Sequence, residues 1–459
     1  MRKFSQLLIL ASGLGLLGAC GGSGNVITIG PPATQFSVTG PSTSGAGIPF
    51  TFTVTALDAS NAVATSYSGT VHFTSSDPAA VLPHNQTLTN GTGTFSATLG
   101  TAGTQTITAI DTVSKSLQQT VSVTAVAGAF PVASFGARGD AKTDDTAAIQ
   151  SAINAASAAG GGSVLLGVAR YFTSGRLVIP AGVVLCGTVE GPFDPPAVNP
   201  AVTTIAPTLL ITNTAGPFLT LQGVGAGVTD LIFHYPNQVK SSAAAPNVYP
   251  YTILVTAPGT KIARYTVTNA YDFLDIEVGR VMAQNLFIGA FHTGINIDHA
   301  QDHVTLRNIL NQVFWDIVEG APVPTQIDNW VTANGTGLVA GRVDSLEIHD
   351  FFVFVRFTGI LLTDSSDQSQ NPRCGYGTGS DIDLDTVRYG IVVNASQSPG
   401  YKFTNTNIGA YLGGLAAVQV GSGSLPPKIA IIGGENRGNW ANGAYPPPGP
   451  DTIITNILP

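Results

Sequence analysis

A short apolar pattern that returns every 21 to 23 residues constrains this 459-residue chain more than any other feature. The segments FLDIEVG from Phe273 and TGINIDHA from Thr293 set Leu274 and Ile295 21 residues apart, and FWDIVEG from Phe314 continues the series. Turns carrying asparagine lie between them, at Asn285 and Asn308, 23 residues apart. A strand and a polar turn in each unit of about 20 to 25 residues is the signature of a solenoid, whose coils bury their apolar sides against one another. LEIHDF from Leu346, GILLTD from Gly359, SDIDLDTV from Ser380, GIVVNA from Gly390 and KIAIIGG from Lys428 fit the same pattern. The run YPPPGP from Tyr445 cannot be strand and is expected to cross the open end.

Composition agrees with stacked strands. Charged residues make up only 10% of the chain and glycine 54 of its residues, which suits an extracellular β-protein rich in turns. A net charge of −8, with no basic cluster beyond Arg2 and Lys3, argues against a nucleic-acid partner.

Those two cations head an apolar run, Leu7 to Leu17, that is too short to remain as a membrane span. It ends in Leu17-Gly18-Ala19-Cys20, which resembles a bacterial lipobox. On that resemblance residues 1–20 are a signal, Cys20 is lipidated, and the exported chain is held to a membrane by its lipid. Residues 21–32, opening Gly21-Gly22-Ser23-Gly24, then form a flexible tether. Glycine at 21 resembles lipoproteins that are passed on to the outer membrane. Cys186 and Cys374 are the remaining thiols; they either pair in that compartment or stay apart as small hydrophobes, the blander reading.

Residues 33–126 alternate with period two in short runs such as PFTFTVTAL and GTQTITAID, separated by Gly, Pro, Asn and Asp. This is a β-sandwich pattern, and the stretch resembles bacterial immunoglobulin-like repeats. It holds no convergent acid, base or metal set, so a spacer or weak binder is expected.

From Phe130 the pattern changes. Asp144 and Asp145 precede Thr146 and offer carboxylates to the first turn of a helix; Ile149, Ala152, Ile153 and Ala156 then make one apolar stripe. Gly160, Gly161 and Gly162 end it, and Val164 starts a strand. Asp140, Asp144 and Asp145 read as turn and cap residues. The runs FGARGD, TDDTAAIQSAINAA and GGGSVLL resemble the opening module of the pectate-lyase-like superfamily, which includes polygalacturonase-related enzymes and phage tailspikes. The resemblance is specific from Phe130 to about Gly187 and more diffuse beyond. It implies an all-β protein: a right-handed single-stranded parallel β-helix over residues 130–459 with an N-terminal capping helix, preceded by an immunoglobulin-like β-sandwich. It also implies a polysaccharide substrate and, by analogy with tailspikes, a trimer; the residues themselves leave the oligomer open.

Alternation places the chemistry. With Leu274, Ile276 and Val278 inward, Asp275 and Glu277 face out; with Ile295 and Ile297 inward, Asn296 and Asp298 do. Stacking gives one column of Asp275, Asn296 and Asp316 and a second of Glu277 and Asp298. At roughly 4.8 Å per rung, Glu277 and Asp298 lie about 5 Å apart and Asp275 and Asp316 about 10 Å, against about 5 Å for retaining and 6.5–9.5 Å for inverting glycosidases. Crowding raises one carboxyl pKa and makes a general acid. A solvated acidic face is the alternative.

The Asn-Thr-Asp, Asp-Asp and Gly-His-Gly motifs of polygalacturonases do not occur after Gly160. Asn296-Ile297-Asp298-His299 resembles the Ile-Asp-His of pectate lyases, whose acidic residues hold Ca²⁺ while an arginine removes the proton. That likeness makes Asp298 and Asp302 ligands and Arg280 or Arg307 the base. No cofactor is expected otherwise. Tyr235, Asn237 and Gln238 follow a strand and offer an aromatic beside amides as a sugar platform, with Trp315, Trp330 and Arg307 as further contacts. The leading expectation is a cell-envelope glycoside hydrolase-like enzyme. A non-catalytic polysaccharide binder or adhesin, and a Ca²⁺-dependent lyase, remain beside it.

Overall fold

The computed structural model describes residues 31–126, 128–192, 206–238, 245–312, 325–369, 372–410, 413–447 and 449–458. Cys20 with the lipobox, most of the tether, Trp315 and Asp316 lie outside the described residues.

Among the described residues, twenty-one strands, from Ala129–Pro131 to Thr452–Leu458, form one continuous sheet that winds round an apolar core. Their pairing is parallel, and each coil bonds to the one before and the one after. Leu274, Ile276, Ile295, Ile297, Leu338 and Ile360 are fully buried, as period-two alternation requires. Val278 is not part of that row: the strand ends at Ile276, and Val278 sits half-buried in the turn beyond.

Three faces follow from the path of each coil. The first face holds Ile253–Val255 and the segments 274–276, 295–297 and 338–340 in register. The second begins near Lys261, Val281, Val304 and Asp344. The third follows a sharp corner, where one residue per coil takes a left-handed backbone. Arg264 (φ 52°), Asn285 (56°), Asn308 (50°), Asp350 (53°), Asp381 (56°) and Asn405 (50°) stack there. Asn and Asp tolerate this region better than other side-chain-bearing residues because their short polar side chains bond locally. Asn308 Nδ2 donates to Asn285 Oδ1 at 2.8 Å, Asn405 Nδ2 to Asp381 Oδ1 at 2.7 Å, and Arg264 grips Asp230 through two bonds of 2.7 Å.

A second column is made of glycine. Gly294, Gly337, Gly359 and Gly390 sit directly above one another where the chain enters the first face. A Cβ on Gly337 would come within 2.6 Å of the Gly359 carbonyl oxygen, so the coils close only without side chains here.

Helix α1 (Thr146–Ala158) lays Ile149, Ala152, Ile153 and Ala156 against the first strands of the large sheet. Asp144 accepts from the Thr146 N–H, Asp145 from the N–H groups of Arg138 and Gly139, and Asp140 from those of Lys142 and Thr143. All three carboxylates are spent on backbone amides and, for Asp140 and Asp144, on neighbouring hydroxyls. Ahead of this helix, a three-stranded and a five-stranded sheet enclose a separate core in which Phe52, Phe73 and Phe95 pack ring on ring. Cys186 and Cys374 are both buried and free.

Candidate active site

The chemistry converges on the first face. Asp275 projects outward near the end of its strand, between Leu254 of the preceding coil and Asn296 of the next. Its neighbours leave it only half exposed, and Asn296 Nδ2 donates to Asp275 Oδ1 at 2.8 Å. Burial pushes the Asp275 pKa up to about 6; the Asn296 bond opposes this, and the charges of Glu277, Asp298 and Asp272 add to it.

Three residues earlier, Asp272 accepts the Thr293 N–H at 2.9 Å and lies 2.8 Å from His292 Nδ1. That contact raises the His292 pKa and so favours the protonated imidazole. His292 stacks on Tyr271 at 4.9 Å, and Trp330 from helix α2 (Thr325–Asn334) tilts against both rings, 5.9 Å from Tyr271 and 6.4 Å from His292. Tyr251 completes the group. Burial keeps its phenol protonated, reinforced by the charges of Asp272 and Asp275, while Thr293 hydrogen-bonds it. A raised-pKa carboxyl, an imidazole paired with a carboxylate, a phenol and a wall of aromatic rings thus line one face.

The residues expected from alternation distribute differently. Asp275 and Asn296 occupy adjacent rungs as read. Glu277 is exposed in the turn after its strand. Asp298 is 5% exposed and faces the following coils: it accepts N–H bonds from His299, Arg342 and Ser366 and the Ser366 hydroxyl at 2.9 Å. Burial alone would raise its pKa, but bonds from Ser365 and these amides hold it below the usual value. A carboxylate so saturated braces coils, and the structure does not join it to Glu277 as an acid and nucleophile. The same donors leave no lone pairs for a cation. Asp302 is spent on Arg280 (2.7 Å) and the His303 N–H (2.8 Å), so Ca²⁺ does not fit this pair.

Tyr235 is also a correction. It is 1% exposed, bonds Thr252 through its hydroxyl at 2.8 Å and packs on Tyr249, so it belongs to the core. Gln238 is buried and clamps Asn247 through both its amide atoms, and the Asn237 carbonyl accepts from the Asn247 amide. Arg307 is exposed on the second face, in register with Gln284 and His349, and does not meet Asp275. His292, Asp272, Tyr251 and Tyr271 were not singled out by the repeat, because they sit at the corner where strand alternation breaks. The one available signal was register: a 21-residue shift from Tyr271 lands on His292.

A family model described as rhamnogalacturonase A/epimerase, pectate lyase-like, matches residues 129–204. Alginate lyase 7 of Azotobacter vinelandii is 46% identical over 69 residues, 14% of this chain and 8% of that protein. Mannuronan C5-epimerase AlgE3 of the same organism is 61% identical over 69 residues, 14% of this chain and 4% of that protein. The matched segment therefore spans less than a tenth of these curated relatives. Among solved structures, the A-module of the Azotobacter vinelandii mannuronan C-5 epimerase AlgE6 is 16% identical, with a TM-score of 0.37 over 72% of this chain and 98% of its own. A hyperthermoactive exopolygalacturonase from Thermotoga maritima is 12% identical, with a TM-score of 0.39 over 72% and 86%.

Proposed function

We propose that this chain is a pectate-lyase-like, cell-envelope lipoprotein that acts on a polyuronate by moving the proton on the carbon next to the uronate carboxylate. The observation that carries the reading is the convergence of Asp275, His292 and Tyr251 on one face. With a pKa of about 6, Asp275 is ionised yet unusually basic near neutral pH, which suits a general base. The raised pKa of His292 favours its cationic form, the form that meets the substrate carboxylate and stabilises the charge that develops there. Asp272 engages Nδ1, which leaves Nε2 to the substrate. Tyr251 supplies a proton. Delivered to the departing glycosidic oxygen it completes an elimination; delivered to the opposite side of the same carbon it completes an epimerisation. Tyr271 and Trp330 give the sugar ring an apolar wall. The local relatives, an alginate lyase and mannuronan epimerases, support this substrate class.

Hydrolysis is the second reading, favoured by Glu277, whose charge adds to the raised pKa of Asp275. An inverting pair would use Asp275 as acid and Glu277 as base. The two readings oppose each other in pH. A base requires activity to rise through about pH 6, whereas an acid requires it to fall. Incubation with a panel of polyuronates in deuterated water, following ultraviolet absorbance of unsaturated uronate, reducing ends and deuterium taken up on the carbon next to the carboxylate, tests them together. Polymer binding with none of these signals would leave the chain a binder.

A further inference from the structure

Away from the first face, the start of the second face brings together three groups that neither the fold nor the proposed reaction uses. His303 stands just before the strand Val304–Gln312. Its Nδ1 lies 3.4 Å from the Ser345 hydroxyl oxygen. Its Nε2 lies 2.6 Å from Thr305 Oγ1 and 3.6 Å from the Glu347 carboxylate. Thr305 and Glu347 face one another across adjacent coils, so two acceptors address the same ring nitrogen. They draw the imidazole proton to Nε2, which leaves the Nδ1 lone pair for the Ser345 O–H.

Ser345 is held where a serine rarely sits. Its φ is 76°, and it is the extra residue at a register shift between Asp344 and Leu346. The residues around it fix the bulge. Arg342 grips Asp344 through bonds of 3.0 and 2.9 Å, and Leu346 is buried in the core. Strain kept in place by its surroundings clusters at sites that do work, and bulges re-aim side chains next to them. The half-buried Ser345 opens on a cleft of about 480 Å³ that Tyr376, Thr378, Lys402 and Lys428 also line. His303 and Glu347 are each about 40% exposed, so a substrate reaches them.

We propose that Ser345, His303 and Glu347 form an acyl-transfer site for small carboxylic esters, independent of the reaction on the first face. Ser345 Oγ bonds to the acyl carbon as its proton passes to His303 Nδ1. The ester C–O bond then breaks, and the departing alcohol takes that proton. Water repeats the sequence on the acyl-serine, releasing the acid and restoring the hydroxyl. Glu347 steadies the imidazolium through Nε2 and acts as a positioning residue. Ser345 is skipped by the register that pairs Asp344 and Leu346 with the next coil, and Lys402 lines the same cleft, so the Ser345 amide and Lys402 are the donor set for the oxyanion.

The test uses the intact protein, a fluorophosphonate probe read by intact and peptide mass, and hydrolysis of p-nitrophenyl acetate. Ser345→Gly removes the nucleophile while suiting φ 76°, so it should fold as well as the wild type. We expect one probe adduct, on Ser345, and a loss of ester hydrolysis of at least about a hundredfold in Ser345→Gly and His303→Gln. A wild type that takes no probe overturns the proposal, and so does a folded Ser345→Gly that hydrolyses the ester at the wild-type rate.

Discussion

The Asn296 amide of one coil donates to the Asp275 carboxylate of the coil before it, across 2.8 Å. The bond favours the ionised carboxylate, whereas burial and three neighbouring carboxylates favour the protonated one, and the balance falls at about pH 6. Removing the amide in Asn296→Ala should therefore carry the Asp275 pKa upward and shift the activity profile with it. Asp275→Asn should lower turnover at least about a hundredfold with the coil intact, the usual weight of a positioned proton acceptor. Full turnover in the Asn variant would remove Asp275 from the chemistry.

The Asp272–His292 pair gives stability a pH dependence of known sign. The folded His292 pKa lies above its ordinary 6.5, so the pair stabilises fully below 6.5 and that contribution is lost as pH rises through the folded value. Urea midpoints taken across this window should fall with pH in the wild type and flatten in Asp272→Asn. Parallel slopes in both would show that the pair does not report on folding.

Asp298 should matter to the fold. Asp298→Ala leaves the N–H groups of His299, Arg342 and Ser366 without their acceptor in a buried site. A loss of at least about 2 kcal/mol is expected from the orphaned donors. Denaturant unfolding measures it, and turnover per folded molecule should stay near the wild-type value. A stable but inactive variant would return Asp298 to the catalytic set.

Anchoring rests on Cys20. In the native host, Cys20→Ser should move the protein from the membrane to the soluble fraction or leave an uncleaved precursor. An unchanged membrane fraction would sink the lipoprotein reading.

Much of the architecture is legible in local residues, because a solenoid repeats local rules. Leu274 and Ile295 announce buried strands through alternation, Asn285 and Asn308 mark the left-handed corner, and Ile149 to Ala156 show the helix stripe. Asp275 is legible for the same reason. His292 and Tyr251 are not, since each sits where a strand turns into a corner and period two no longer says which way a side chain points. Asp298 misleads differently. Alternation places it correctly beyond Ile297, but the amides it serves come from 342 and 366, sequence distances that no short window links.

The left-handed corner has one more consequence. Successive corner residues are separated by 21 positions from Arg264 to Asn285 but by 42 from Asn308 to Asp350, yet their stacking is unbroken. The additional length lies between the third and first faces, where α2 presents Trp330 to the aromatic wall. One edge of each coil thus holds the register of the stack, while the opposite edge is free to lengthen. Segments grown beside the first face can change what borders it, and the stacking at the corner never has to be renegotiated.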